Sequence, residues 1–285
     1  MKKSSAMVLK AFLSQCEPEK KRALERFLPE TERTLLEQLP VFSKPIVPEA
    51  FTHHKAVERV HWSWFLPTLK TYTEEEQKLF LSSLPSSNAK NLAKALETQL
   101  SSSEITPVAK SYLRQILLHS LIGAQNRLLP VDYLPPTPLK PLLELSKKEL
   151  TRVIDFLSLY DLSAELRQIV ETKILKKIYS FLSEEEKKFL KTISSSKDPF
   201  VLGRIGIDRW DGSEESLRHL IHRRGLVRLS TALSGQHPDF IWYICHQLDI
   251  GRGTILFKLS HGPTSQGASD AITRQIMELI QEPQK

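Results

Sequence analysis

The sequence predicts an all-α protein, and three observations lead to this prediction. Only ten glycines occur in 285 residues, and most follow position 200, so the first two thirds lack the turn signals of sheet-rich chains. Apolar residues recur every three or four positions, as in Leu150, Val153, Ile154 and Leu157. Acidic residues also follow hydroxyl side chains at the points where helices are expected to begin.

Two of these helix starts have the pattern of a capping box, in which a hydroxyl and a Glu three residues later bond to each other's backbone N–H groups. They are Thr73-Glu74-Glu75-Glu76 and Ser183-Glu184-Glu185-Glu186. Both are followed by a Lys and an apolar pair, and residues 17–24 form a weaker third copy. The copies predict armadillo-like multi-helix repeats. Unrelated helices with similar starts are the alternative.

Prolines divide the chain. Five of them fall between Pro130 and Pro141 and predict an extended, stiff linker with few packed contacts, and Ser194–Pro199 marks a lesser boundary. We therefore expect an N-terminal helical domain at 1–129, a Pro-rich linker at 130–141, a middle helical region at 142–200 and a C-terminal helical domain at 201–285.

Composition predicts a cytoplasmic protein. Lys10 interrupts the apolar stretch near the N-terminus, which predicts a first helix and not a signal peptide. The two cysteines, Cys16 and Cys245, do not form a disulfide framework. No apolar run approaches the roughly 18 to 20 residues that a membrane span needs. The 40 Lys and Arg against 33 Asp and Glu give a net charge of +7, which favours acidic partners or membrane surfaces only modestly.

Enzyme signatures are not found. Gly251-Arg252-Gly253 lacks the third glycine and the preceding strand of a dinucleotide site, and no Gly-rich loop precedes a Lys-Ser or Lys-Thr pair. His53, His54 and His61 have no Cys or acidic residue at zinc-motif spacing. We expect a non-enzymatic protein with no catalytic residue, cofactor or metal ion.

Two segments have the composition of interaction surfaces. The aromatic segment 60–66 includes Trp62, Trp64 and Phe65, and its density favours a place in the core over an interface. The basic stretch 218–228 contains Arg223 and Arg224, which are candidates for contact with an acidic partner or nucleic acid. Its apolar residues predict the buried side of a helix pair, so we expect its charges to form a solvated face.

A series of residues near the C-terminus matches a known helical pattern. Ser216-Leu217 and Leu220-Ile221 are followed by residues 229–235, Leu-Ser-Thr-Ala-Leu-Ser-Gly, and Gly262-Pro263 precedes a helix expected from about Ser269 to Ile280. This quarter of the chain resembles the C-terminal region of the FliG flagellar motor switch family. That family has Ser-Ile-Gln-x-Leu-Leu, then Leu-Ala-x-Ala-Leu-Lys-Gly, and later Gly-Pro-Val-Arg before its last helix. The resemblance implies a helical fold.

A second match concerns partner binding. Gln236-His237-Pro238-Asp239-Phe240 is similar to the Glu-His-Pro-Gln motif by which the middle domain of the same family binds the next switch component. The resemblance implies that Gln236, His237, Pro238, Asp239 and Phe240 bind a partner. The residues alone predict a helix start, with Pro238 in the first turn and Ile241, Ile244 and Leu248 pointing into the core.

The differences from the family point to a particular role. Ser234, Gly251 and residues 257–259 replace charged residues of the torque surface, so opposed charges cannot face a stator. The resemblance then implies a non-rotary relative such as the SctK accessory family of type III secretion injectisomes.

We expect a scaffold or adaptor acting through protein–protein interaction in a bacterial type III secretion or flagellar-type platform. Its expected partners are the cytosolic domain of a membrane-ring protein and a FliM-like or SctQ-like switch or pod component. The chain would be peripheral to the inner membrane through these partners and oligomeric in a ring. A basic helical protein associated with nucleic acid is the alternative.

Overall fold

The protein is helical throughout the part of the chain that its structure, a computed structural model, describes. The described residues are 3–39, 53–100, 105–123, 128–195, 200–262 and 264–281, and these ranges contain no β-strand. The all-α prediction is therefore confirmed. None of the described helices is long and apolar enough to span a bilayer.

The described ranges contain fifteen α-helices joined by short loops and 3₁₀ turns. The helices are α1 (Lys3–Gln15), α2 (Pro18–Glu25), α3 (Glu30–Gln38), α4 (His53–Arg59), α5 (Leu66–Leu69), α6 (Glu74–Ser83), α7 (Ser86–Leu96), α8 (Pro107–Ile122), α9 (Lys147–Leu166), α10 (Thr172–Phe181), α11 (Glu184–Ser195), α12 (Glu214–Leu233), α13 (Pro238–Gln247), α14 (Ile250–Ser260) and α15 (Gln266–Gln281). Short 3₁₀ turns lie at Trp62–Trp64, Val131–Tyr133, Lys140–Glu144 and Ile207–Arg209.

The chain divides into two compact units. The first unit contains Met1–Pro135 and His237–Ile250, and the second contains Pro136–Gln236 and Gly251–Lys285. The chain thus returns to the first unit through α13 before it completes the second. The domain boundaries expected at 130–141 and near 200 and the armadillo-like repeats stay predictions.

The first unit is built around α4 and α8. Helix α8 packs against α4 and α6, and α13 packs against α4. The aromatic segment 60–66 belongs to this core, as favoured from the sequence: Val60 and Phe65 are buried, and Trp64 Nε1–H donates to the Leu248 carbonyl at 2.9 Å. Near the N-terminus, α1 packs against α3, and the ammonium of Lys10 donates to the Leu36 carbonyl at 2.6 Å.

The second unit is built around α9 and α12. Helix α9 packs against α11, α12 and α15, and thirteen of its twenty residues are buried. The apolar residues of the basic stretch 218–228 were expected to form the buried side of a helix pair. They lie instead on one continuous helix, α12. Gly225 is where this helix comes closest to α9, since a Cβ built on it would lie 1.9 Å from the Ile154 carbonyl oxygen.

The capping boxes that define the helix starts are present. The Thr73 hydroxyl accepts the N–H of Glu76 at 3.4 Å, and the Glu76 carboxylate accepts the N–H of Thr73 at 2.8 Å. Ser183 and Glu186 make the same pair of bonds at 3.2 and 2.7 Å. A third box, which is not among the predicted helix starts, joins Ser146 and Glu149 at the start of α9.

The proline-rich segment is packed where we expected few contacts. Within it Tyr133, Leu134 and Leu139 are buried and Val131 is half-buried, and Leu129 and Leu142 at its two ends are buried as well. Two 3₁₀ turns, Val131–Tyr133 and Lys140–Glu144, interrupt the extended backbone. Proline restricts the backbone and removes N–H donors, but it does not keep neighbouring leucines in solvent. The apolar residues between the prolines were the signal for this packing.

Candidate functional site

The predicted binding segment lies at the start of α13 in the first unit. His237 is the N-cap of this helix, and its ring nitrogen Nδ1 accepts the N–H of Asp239 at 3.2 Å. Pro238 is exposed in the first turn, where its missing N–H costs nothing. Both His237 and Asp239 are half-buried. The predicted helix start and its proline are therefore confirmed.

Asp239 also has a role inside the first unit. Its Oδ2 accepts the N–H of Leu129 at 2.9 Å, while the Tyr243 hydroxyl donates to the carbonyl of Leu129 at 3.0 Å. Two side chains one turn apart on α13 thus bind both backbone polar groups of one residue. Burial raises the pKa of the Asp239 carboxyl, against the opposing effects of the Leu129 N–H and of His237. Removing this carboxyl would therefore disturb the fold as well as any partner contact.

Phe240 differs from the expectation that it contacts a partner. Only 1% of it is exposed, so it packs in the core and offers no surface to another protein. Ile241, Ile244 and Leu248 are buried, as predicted. Phe240 is four residues before Ile244 in the helix and therefore shares its inward face. The accessible part of the candidate site in the first unit is His237, Pro238 and Asp239.

The remaining predicted site residues belong to the second unit. Gln236 is half-buried and donates its N–H to the Leu233 carbonyl at 3.0 Å. Arg223 is exposed on α12. Arg224 is half-buried and donates from Nε to Asp161 at 2.5 Å, so its charge already has a partner inside the protein. Arg223 is the one of the two arginines that faces solvent.

The solvated face expected of the basic stretch is wrong for Arg228. This residue is completely buried, and its Nη1 donates to Asp161 Oδ1 at 2.5 Å. Its Nη2 donates to the Phe200 carbonyl at 3.0 Å and also to the side-chain oxygen of Gln275. Burial lowers the pKa of the Arg228 guanidinium, and the neighbouring Asp161 opposes this effect. Arg228 therefore joins α9, α12 and α15 in the core.

A second carboxylate of α9 holds the segment that precedes α12. Glu165 accepts the backbone N–H groups of Ile205 at 2.6 Å, Gly206 at 3.2 Å and Ile207 at 2.8 Å. Gly206 has φ of +96°, a conformation that glycine adopts without strain and that turns these N–H groups toward one point. Asp161 adds a bond from the N–H of Leu202 at 2.8 Å. These contacts fix residues 202–207 to α9.

A signal for this cluster was present in the sequence. Asp161 and Glu165 are four residues apart in the stretch 157–166, whose other residues are apolar or aromatic except for Ser158 and Ser163, so the two carboxylates share one face of the helix. A buried carboxylate needs a hydrogen-bond or charge partner, and the arginines of α12 are cations that could supply one. Neither Asp161 nor Glu165 is among the candidate residues predicted above.

Metal ligation has no candidate among the residues that the structure describes, since no group of three or more His, Cys, Asp and Glu side chains is arranged to hold an ion. The side chains of His53 and His54 lie outside the described residues. His61 is half-buried, and its Nδ1 lies 2.8 Å from the Ser63 hydroxyl.

His246 fastens α13 to the aromatic segment of the first unit. Its ring lies 3.9 Å from that of Trp242 and 4.1 Å from that of Trp64, and its Nδ1–H donates to the Trp242 carbonyl at 2.7 Å. Burial lowers the pKa of His246 from 6.5 to about 4, against the opposing effect of the bond to Trp242. The folded protein therefore keeps this ring neutral.

Acid is expected to destabilise the first unit through this histidine. A histidine with a lowered pKa contributes full stability above its unfolded pKa of 6.5 and loses it as the pH falls toward 4. The loss is about 3 kcal/mol by pH 4, since each pKa unit is worth about 1.4 kcal/mol. His246→Phe keeps an aromatic ring but cannot titrate, so its urea midpoint should vary less over this range than that of the native protein. His219→Gln, at an exposed position of α12, is the control and should leave the pH dependence unchanged. Equal pH dependence in the His246→Phe and native proteins would show that His246 is not the responsible group.

Comparisons with known protein families, with curated proteins and with solved structures found no match to this chain.

Proposed function

We propose that the protein is a non-enzymatic helical adaptor in the cytoplasmic platform of a bacterial type III secretion or flagellar-type system. In this proposal it acts in the cytoplasm at the inner face of the inner membrane. One surface docks on the cytosolic domain of a membrane-ring protein, and the start of α13 recruits a FliM-like or SctQ-like component. It acts only by binding these proteins, and it uses no cofactor and no small-molecule substrate.

The start of α13 is the observation that carries the proposal. The segment that resembles the family's binding motif begins a helix, as the motif would require, and it exposes Pro238 together with parts of His237 and Asp239. The next residue, Phe240, anchors that turn in the core. A short polar surface on a rigid turn is suited to recognising a loop of a partner.

Nucleic-acid association has less support. The basic stretch on α12 was its main basis, and three arginines of that stretch have acidic partners within the second unit. Arg218 pairs with Glu186 at 2.6 Å, and Arg224 and Arg228 both pair with Asp161. A cation that is neutralised inside the protein contributes little to binding phosphate groups.

A binding experiment with the full chain tests the proposal. The tagged protein is incubated, with nuclease present, with the purified SctQ-like pod protein and separately with the cytosolic domain of the ring protein from the same organism. We expect saturable binding to both that survives nuclease treatment. Recovery of nucleic acid alone, or no binding to either protein, would contradict the adaptor role.

The variant that tests the α13 site must preserve the fold. His237→Asn keeps a side-chain acceptor at the N-cap, and Asp239→Asn keeps an oxygen for the N–H of Leu129. The double variant should therefore retain its melting temperature while its affinity for the pod protein falls about 5- to 30-fold, or about 1 to 2 kcal/mol.

Two controls locate the effect. Lys90→Asn with Lys94→Asn makes two polar substitutions on exposed positions of α7 in the same unit and should leave the affinity unchanged. Arg223→Glu, compared with Arg274→Glu at an exposed position of α15, tests the predicted contribution of Arg223 on α12. Unchanged affinity in the α13 double variant would remove the binding role from Gln236–Phe240.

A further inference from the structure

Helix α14 buries unusually little of its apolar surface. From Gly251 onward it belongs to the second unit, and its buried residues are Gly253, Leu256 and Ser260, of which only Leu256 is large and apolar. Three large apolar side chains stay exposed: Ile255 at 46%, Phe257 at 44% and Leu259 at 39%. A helix of a globular protein normally turns such residues toward the core. Ile255 and Leu259 lie one turn apart on the same side of α14 and form an exposed apolar ridge, whereas Phe257 lies on another side of the helix.

The two charged residues within α14 are both basic, and the nearest acidic residues along the chain are Asp249 and Asp270. No acidic residue occurs between Ile250 and Ser269, whereas Arg252 and Lys258 lie within α14 itself. Lys258 is exposed and follows Ile255 by three positions, so it lies beside the ridge that Ile255 and Leu259 form one turn apart. Arg252 is half-buried at the other edge of the ridge, and its Nη1 donates to the Thr151 hydroxyl at 3.2 Å.

The shape and charge of this surface favour one kind of partner. A ridge of two apolar side chains one turn apart fits the groove of a second helix, one polar edge of which would meet Lys258. Stable binding to an anionic membrane usually needs clusters of about four to eight Lys or Arg, and α14 supplies two. Gly251 and Gly253 lower the intrinsic helix propensity of α14. A partner helix packed along α14 would therefore stabilise its helical conformation.

We propose that the exposed side of α14, formed by Ile255, Lys258 and Leu259, is a docking surface for an acidic amphipathic helix of a partner protein. The partner places apolar residues against Ile255 and Leu259 and a carboxylate beside Lys258. This surface shares no residue with the start of α13, and the proposal does not depend on the secretion role.

The test uses the full chain and a defined probe. The probe is a fluorescent synthetic peptide that repeats Glu-Leu-Gln-Glu-Leu-Leu-Gln, which places leucines on one face of a helix and carboxylates at its edges. Fluorescence anisotropy should show saturable binding with a Kd below about 0.1 mM, weaker in high salt. The matched peptide with Lys in place of every Glu should bind at least about tenfold more weakly, because it meets Lys258 with like charge.

Substitutions then locate the site. Leu259→Glu and Lys258→Glu should each weaken binding of the acidic peptide about tenfold or more, since one removes an apolar contact and the other reverses the charge. Val170→Glu is the matched control, because Val170 is 94% exposed in the same unit and far from α14 in sequence. It should bind the peptide like the native chain. Circular dichroism confirms that each variant remains folded.

Three outcomes would overturn the proposal. One is equal binding of the acidic and basic peptides, and another is unchanged binding after Leu259→Glu in a folded protein. The third concerns vesicles of equal parts phosphatidylcholine and phosphatidylglycerol. The proposal would be wrong if the protein bound these vesicles more strongly than the peptide and Leu259→Glu abolished the vesicle binding. That result would assign the surface to lipid.

Discussion

Replacing Gly225 with alanine is expected to destabilise the second unit by about 4 kcal/mol or more, a size that is exceptional for a single substitution. The new Cβ would lie 1.9 Å from the carbonyl oxygen of Ile154 and 2.6 Å from its carbonyl carbon. These are backbone atoms in the middle of α9, so they cannot move aside as a flexible side chain could. The two central helices would have to separate, and the core between them would open.

A loss of stability in Gly225→Ala would distinguish this steric clash from the effect of helix propensity, which has the opposite sign. Alanine in place of glycine inside a helix normally stabilises it by about 0.5 to 1 kcal/mol. Gly267→Ala, on α15, is the matched control, since a Cβ at Gly267 meets no atom within 4 Å. Urea unfolding followed by circular dichroism should show a lower midpoint for Gly225→Ala and an unchanged or higher one for Gly267→Ala. A stabilised Gly225→Ala protein would contradict the close approach of α9 and α12.

Replacing Asp161 with alanine is expected to cost about 3 to 5 kcal/mol, because it leaves a buried cation without its counter-charge. Both Asp161 and Arg228 are completely buried, and Arg224 also donates to this carboxylate. The N–H of Leu202 loses its acceptor as well. No solvent reaches Arg228 to replace these bonds, so the lost interaction is not screened.

Two comparisons test this explanation. Glu185→Ala removes an ion pair with Arg152 whose side chains are 65% and 41% exposed, and it should cost at most about 1 kcal/mol. Asp161→Asn combined with Arg228→Met removes both buried charges, so it should destabilise less than the sum of the two single changes. Urea unfolding followed by circular dichroism gives the free energies of unfolding. Equal costs for Asp161→Ala and Glu185→Ala would refute the buried ion pair.

The sequence predicted well those features that depend on neighbouring residues. The capping boxes at Thr73 and Ser183 form as expected, because each needs only a hydroxyl and a carboxylate three residues apart. The start of α13 at Pro238 follows from the fixed φ of proline and its missing N–H. The inward face of that helix follows from helical periodicity.

The packing of the proline-rich segment differs from the prediction made from its prolines. Prolines report on backbone conformation, whereas burial of Leu139 and Leu142 depends on which surface the extended chain meets. The same limit applies to Leu129, whose peptide group is held by Asp239 from more than a hundred residues away. A pattern of neighbouring residues cannot predict a contact between residues so far apart in the chain.

By itself the sequence determined that the chain is helical, where the helices with clear capping signals begin and which faces of several helices are apolar, because those properties arise from interactions within one or two turns. Only the tertiary structure decided that Gly225 lies against Ile154 and that Arg228 is inside the protein, because both depend on contacts between α12 and distant segments. An arginine is stable in a core only where carboxylate and carbonyl oxygens converge on it. That convergence exists only after α9, α12 and α15 have packed together.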